Sequence, residues 1–168
     1  MALIVEDGSS RPDANGYAGV AEADAYWQDR DNAVWAGATT AAKEAGLIQA
    51  TQFLDAGFAW RGSRIDRDQA LDWPRIGAVD NEGLERDSNS VPTEIKQATF
   101  ELALQALSGA LLPAESRGGL IDKVKAGSVE VEFSERAPMG RTYAFVERII
   151  DGLTEGSARG ATVELFRA

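Results

Sequence analysis

The densest set of groups able to grip a ligand lies in the segment AWRGSRIDRDQALDWPRIG, residues 59–77. Two indoles, Trp60 and Trp73, offer faces on which unpaired bases stack, and Arg61, Arg64, Arg67 and Arg75 offer charges for phosphates. Asp66, Asp68 and Asp72 interleave with those arginines, so the patch is close to electrically balanced. Affinity for a polyanion grows with the number of cations that displace its counterions, and a balanced patch supplies few. A structural role competes with ligand binding here. Trp60 closes a helical stretch and Trp73 precedes Pro74, which favours extended geometry. Both rings are then expected to fold over the core, with the arginine heads paired to the aspartates. Trp60, Arg61, Trp73, Pro74 and Arg75 are accordingly expected to form a peg of the fold or an inter-subunit contact, ahead of a docking site for another protein and ahead of nucleic acid.

Other chemistry is sparse. The chain has no His and no Cys, which removes the usual general base near neutral pH, thiolate nucleophiles, and the common zinc ligands. The carboxylates of VDNEGLERDSNS (Asp80, Glu82, Glu85, Asp87) resemble a calcium loop in composition but lack its spacing and its terminal Glu, so a solvated acidic loop is expected. The glycines of RGG at Arg117 and of EGSARG match no phosphate-binding loop. No cofactor, no metal and no enzymatic activity are expected.

The elements that position these residues are read from periodicity. Leu3 to Val5 is a short strand or arm, followed by turn formers, and a run that short needs covering, a neighbouring subunit being one candidate. Val20 to about Arg30 is a helix with Val20, Ala23 and Trp27 on one face, although Gly19 stands where a capping Ser is expected. TTAAKEAGLIQATQFLDAGFAW is the clearest helix, with Thr40 as N-cap and a buried stripe of Leu47, Thr51, Leu54 and Phe58, widened by Ile48. A further helix runs from Pro92 to Leu112 with two apolar stripes: Ile95, Ala98, Leu102 and Ala106, then Phe100, Leu104, Leu107 and Leu111. A helix apolar on two sides is central to a bundle or shared with another subunit.

Beyond Pro113 the period changes to two. Val129, Val131 and Phe133 alternate with Glu130 and Glu132, and Ile121 to Lys125 is expected to pair back through a turn at Ala126-Gly127-Ser128. Such an edge is suited to strand addition by a neighbour. TYAFVERIIDGL returns to helix through Val146, Ile149, Ile150 and Leu153, and Thr162 to Phe166 is a final short strand. The predicted fold is mainly α: one domain over 1–168, a bundle of about four helices with a β-hairpin insertion near 121–133 and short terminal strands. Its parts are an arm at 1–19, a helical core at 20–113, the hairpin at 117–135, and a C-terminal helix and strand at 141–168.

Composition and charge narrow the class. With 44% hydrophobic and 26% charged residues the chain is that of a globular protein. It has no apolar run near the ~18 residues that span a bilayer, and MALIVEDG lacks signal-peptide features, so cytoplasmic synthesis without membrane contact is expected. The net charge of −10 argues against a dedicated DNA binder.

In order and spacing, VEDG, PDANGY, VAEADAYW, AVWAG, KEAGLIQATQFLDAGFAWRG, QALDWPRIG, VPTEIKQATFELALQAL and LLP resemble a family of tailed-bacteriophage structural proteins. These are head-tail connector, or adaptor, proteins of the head-completion type, and some relatives carry the label DnaT-like single-stranded-DNA-binding protein. The resemblance implies a homo-oligomeric, dodecameric ring at the head-tail joint of the virion, assembled in the host cytoplasm. It also implies the portal protein and a tail or neck protein as partners, with double-stranded DNA passing through the lumen without specific binding. In such a ring an acidic wall, with Glu22, Asp24, Asp29 and Asp31 as candidates, would let the duplex slide. Single-stranded DNA binding in replication, through residues 60–75, is the alternative.

Overall fold

The computed structural model describes residues 2–111, the strands 123–126 and 129–132, and residues 143–155. It is mainly helical, with five helices, a two-stranded ribbon and a two-stranded antiparallel hairpin. The helices are α1 (Val20–Gln28), α2 (Ala33–Gly37), α3 (Thr40–Gly57), α4 (Thr93–Ala106) and α5 (Ala144–Ile150), the last running into a 3-10 turn at Asp151–Leu153. The ribbon joins β1 (Ser63–Arg64) to β2 (Arg75–Ile76), and the hairpin joins β3 (Lys123–Ala126) to β4 (Val129–Glu132). None of the helices among the described residues is long and apolar enough to cross a membrane.

The centre of the body is the pair α3 and α4, with α5 laid on α4 and α1 on α3. Leu47, Ala50 and Leu54 of α3 and Ile95, Ala98, Leu102 and Ala103 of α4 are fully buried. Close approach of the two helices depends on Gly46, where a Cβ would sit 3.0 Å from the Ala103 carbonyl oxygen. The N-cap of α3 is Thr39 and not Thr40: its hydroxyl accepts the Ala42 N–H at 3.3 Å. Lys43 lies buried on the flank of the helix. Phe58 falls outside α3 as its half-buried C-cap.

Helix α4 is shorter than its apolar pattern. It begins after Pro92 and ends at Ala106, so Leu107 is its C-cap and Leu111 is buried in the segment that follows. The second stripe is covered within the chain. Phe100 packs on Tyr26 of α1 with ring centroids 5.1 Å apart, Leu104 and Leu107 lie half-buried against the core, and the Leu111 carbonyl accepts from the Tyr143 hydroxyl at 3.4 Å. Within the chain this doubly apolar helix serves as the bundle centre.

Helix α1 starts at Gly19 without a side-chain cap. The Glu22 carboxylate, three residues on, takes the Gly19 N–H at 3.0 Å and supplies half of a capping box. The arm before it makes a single parallel bridge, Val5 to Gly16, and not a strand. It is covered by its own chain: Asn15 and Gly16 donate to the Ile4 carbonyl, and Glu6 donates to that of Gly16. Gly16 has no side chain to exclude Leu3, whose Cδ1 would lie 2.5 Å from a Cβ there.

Glu6 is 2% exposed, and its carboxylate gathers the N–H groups of Gly8, Ser10 and Arg11 at 2.8–3.0 Å. Gly8 has φ 98°, and a Cβ on it would lie 1.9 Å from the Asn89 carbonyl oxygen. Gly8→Ala is therefore expected to lower the free energy of unfolding by about 2 kcal/mol, read from urea denaturation.

The register of the hairpin sets Lys123 opposite Glu132 and Lys125 opposite Glu130, with Val124 opposite Val131 and Ala126 opposite Val129. Ala126 is in the strand and not in the turn; β3 is described from Lys123, and residues 121 and 122 lie outside the described residues. Phe133 and the strand expected at 162–166 also lie outside them, as do the side chains of Val129 and Val131.

Candidate functional site

The segment 59–77 leaves α3 and returns to the body as a closed loop. Its two ends pair as the β1–β2 ribbon, with Ser63 opposite Ile76 and Arg64 opposite Arg75. Both indoles point inward: Trp60 is 3% exposed and Trp73 0%. Their rings meet edge to face at 6.0 Å, and the aromatic contact extends through Phe58, 5.7 Å from Trp60, to Phe53 and on to Tyr143. The Trp73–Pro74 peptide bond is cis. No face of either tryptophan is open to a stacking base.

The arginines hold the loop closed. Arg75 directs its guanidinium at main-chain carbonyls: Nε donates to Arg61 at 2.8 Å, Nη2 to Gly62 at 2.7 Å and to Trp60 at 3.2 Å, and Nη1 to Asp72 at 3.2 Å. Arg61 likewise donates to the carbonyls of Thr154 and Val79 and to Asn81 Oδ1. The expected pairing of arginine heads with aspartates is found for Arg64, which meets Asp72 at 2.6 Å, but not for Arg61, and Arg75 comes only within 4.0 Å of Asp72. The physical reason is the fork of donors on Arg: a loop turning back on itself converges several carbonyls, which a planar guanidinium satisfies together and a single carboxylate does not replace.

Gln69 holds the loop from inside. It is 3% exposed, its oxygen accepts the N–H groups of Ile65 and Asp66, and its amide donates to the carbonyls of Leu71 and Pro74. Nothing in its local sequence singled it out; a Gln amid charged loop residues reads as solvated until the fold encloses it.

A second set of groups fixes the loop to the helices. The Tyr17 hydroxyl donates to Asp55 Oδ1 and accepts the N–H groups of Asp72 and Trp73 at 3.1 and 3.2 Å, while Asp55 Oδ2 takes the Asp72 N–H at 3.3 Å. Burial pushes the Asp55 carboxyl up to about 6, against the hydrogen bond from Tyr17 and with the help of the neighbouring Asp72 charge. Burial, with the Asp55 charge beside it, also raises the Tyr17 phenol well above its usual value.

The sign for stability follows. A carboxyl that holds its proton more tightly folded than unfolded favours the fold as pH falls from above 6 toward 4. Partial exposure reduces the effect, and we expect a gain of about 1 kcal/mol between pH 7.5 and pH 5. Below pH 4 the trend reverses, because Asp24, held low by Lys43 and Trp35, and Asp80, held low by the N–H groups of Leu84 and Glu82, lose their charges. Urea midpoints measured across this range should peak near pH 4, and Asp55→Asn should flatten the rise.

The acidic segment 80–87 is an ordered turn. Asp80 Oδ1 accepts the N–H groups of Glu82 and Leu84, and Arg86 bridges Asp80 and Glu94. Among the described residues no three carboxylates converge as a metal would require. Of the acids considered for a channel wall, Glu22 pairs with Lys96 at 2.7 Å and Asp24 with Lys43 at 2.8 Å, leaving Asp29 and Asp31 exposed.

Residues 2–111 and 143–155 hold 21 carboxylates against 10 Lys and Arg, a net charge of −11. Most of those cations are engaged by carboxylates or carbonyls of the same body. The site defined by sequence is thus the hub of a small, mainly helical, acidic protein. The chain matches, over residues 1–168, the family model described as "Putative DnaT-like ssDNA binding protein", and it belongs to that family. No curated protein and no solved structure matches the chain. The match agrees with the DnaT-like part of the resemblance and carries no information on a connector.

Proposed function

We propose that this protein is a non-enzymatic assembly component that acts through contacts with copies of itself and with other shell proteins, as a connector at the head-tail joint of a phage particle. The observation that carries this reading is the inward closure of the Trp-Pro-Arg hub. The two indoles are core, and Arg61 and Arg75 serve main-chain carbonyls. Strong acidity of the same body supports it, since a wall of that sign lets a duplex slide where a basic wall holds it. The resemblance of the ordered motifs to connector proteins supports, for this reading, a place in the virion with portal, tail or neck protein and passing double-stranded DNA as partners.

The second reading is single-stranded DNA binding in replication, and the family description speaks for it more directly than for the first. Through residues 60–75 it would require the hub to open. Among the described residues Arg30, Arg64, Arg67 and Arg148 are exposed, with no exposed tryptophan; the one large exposed ring among them is Phe145, three residues before Arg148 on α5. The test combines light scattering and electron microscopy of the free protein and of its mixture with portal, beside anisotropy titrations with a labelled oligothymidylate. Rings, alone or on portal, without salt-sensitive oligonucleotide binding are the expected result. Tight, salt-sensitive binding to the oligonucleotide with no ring under either condition would reverse the order of the two readings.

A further inference from the structure

Helix α2, Ala33–Gly37, holds no polar side chain, yet only Trp35 of it is buried; Ala33, Val34, Ala36 and Gly37 are exposed, Val34 at 63%. A helix apolar on every side belongs in an interior, so this one lacks its cover. Its shoulder is acidic. Asp29 and Asp31 are exposed with no cationic partner among the described residues, and Asp31 lines one cleft with Ala33 and Ala36. Arg30 between them is turned back over the Tyr26 ring, 3.5 Å from its centroid, and donates to the Tyr26 carbonyl at 2.9 Å.

The complement is on α5. Phe145 is 62% exposed, and Arg148, three residues on and so on the same face, is exposed with no acidic partner among the described residues. The two faces stand at opposite ends of α3. Helix α2 runs into the N-cap Thr39, whereas α5 starts at Tyr143, whose ring is 5.3 Å from that of Phe53, and its 3-10 turn accepts the Arg61 N–H. Thr40 to Phe53 is about 20 Å along the axis. One copy therefore cannot close its own α5 face on its own α2. A two-fold pairing of either face with itself would set acid against acid or arginine against arginine.

We infer that Phe145 and Arg148 of one copy dock on α2 of the next, the ring on Val34 and the guanidinium against Asp29 and Asp31, head to tail. The inference rests on the assembly reading above and gives it a specific contact: a heterologous pairing repeated from copy to copy closes into a ring or runs on as a filament. It also takes Asp29 and Asp31 out of the channel wall. Bodies of −11 repel one another at long range, but at physiological salt that repulsion is screened beyond about 8 Å, so the charges at the contact decide.

Charge exchange between full-length chains tests the contact, at physiological salt, alone and with portal, the associated fraction being read by light scattering. One variant is Arg148→Glu; the other combines Asp29→Arg with Asp31→Asn, asparagine being chosen because φ at 31 is 48°. Each by itself should lower the associated fraction at least fivefold, as should Phe145→Ala, with circular dichroism unchanged throughout. Mixed one to one, the two charge variants should recover most of the association, because the altered α5 of one meets the altered α2 of the other and their unaltered faces meet in turn. Variants that associate like the unmodified chain would overturn the contact while the assembly reading stands, and so would two that fail singly and are not restored by mixing. Variants impaired only in binding portal would also overturn it, making another protein the occupant of α2. If the unmodified chain associates neither alone nor on portal, the assembly reading falls, and the contact between copies falls with it.

Discussion

Trp73→Ala is expected to lower the free energy of unfolding by about 4 kcal/mol and the melting temperature by about 10 °C, read by urea and thermal denaturation. The ring is wholly buried, so its removal forfeits both the transfer of the indole from water and the contacts of the walls left behind. Those walls belong to different parts of the chain. Trp60 meets Trp73 edge to face, and the main-chain bridge from Trp60 to Thr154 links the site to the end of α5 and its 3-10 turn. Collapse around a cavity here would disturb several elements together, which puts the cost at the upper end for an aromatic truncation. Trp73→Phe, which retains most of the apolar volume, should cost about half as much. A groove that stacks bases on Trp73 gives the opposite pattern: alanine there would weaken oligonucleotide binding and leave the melting temperature nearly unchanged.

Arg75→Met should cost about 3 kcal/mol, by the same denaturation measurements, although methionine preserves much of the apolar stem. Four main-chain carbonyls, those of Trp60, Arg61, Gly62 and Asp72, take their donors from this one guanidinium. Its side chain is only 12% exposed, so water replaces those donors poorly. Arg75→Lys keeps the charge but not the fork, and should recover less than half of the loss. That comparison separates the two readings of the site. A phosphate contact needs charge, and lysine would serve; a clamp on converging carbonyls needs the planar set of donors, and lysine would fail.

Much of the frame was legible along the chain because burial in a helix repeats every three or four residues. Leu47, Thr51 and Leu54, and Ile95, Ala98 and Leu102, stand where that period puts them, and the alternation at Val129 and Val131 marked a strand. Boundaries were less legible. The apolar run after Ala106 continues the helical spacing, yet Leu111 reaches the core from outside the helix, because Ser108 and Gly109 turn the chain with φ 149° at the glycine. Helix α2, five residues long, offered too short a window for any period to register. Its cap, the Asn32 side chain accepting the Trp35 N–H at 3.0 Å, was the one local sign of it.

The sequence by itself determined that this is a mainly helical, acidic chain without cysteine or histidine chemistry, and that Trp60, Trp73 and the arginines between them form one unit. Only the tertiary structure decided which way that unit faces and what its charges touch. Composition counts an arginine and an aspartate as a pair whenever they are near in sequence. The partner a guanidinium finally takes depends on where the backbone brings its own carbonyls, and in residues 59–77 they converge on Arg75 only after the loop has closed over Trp73.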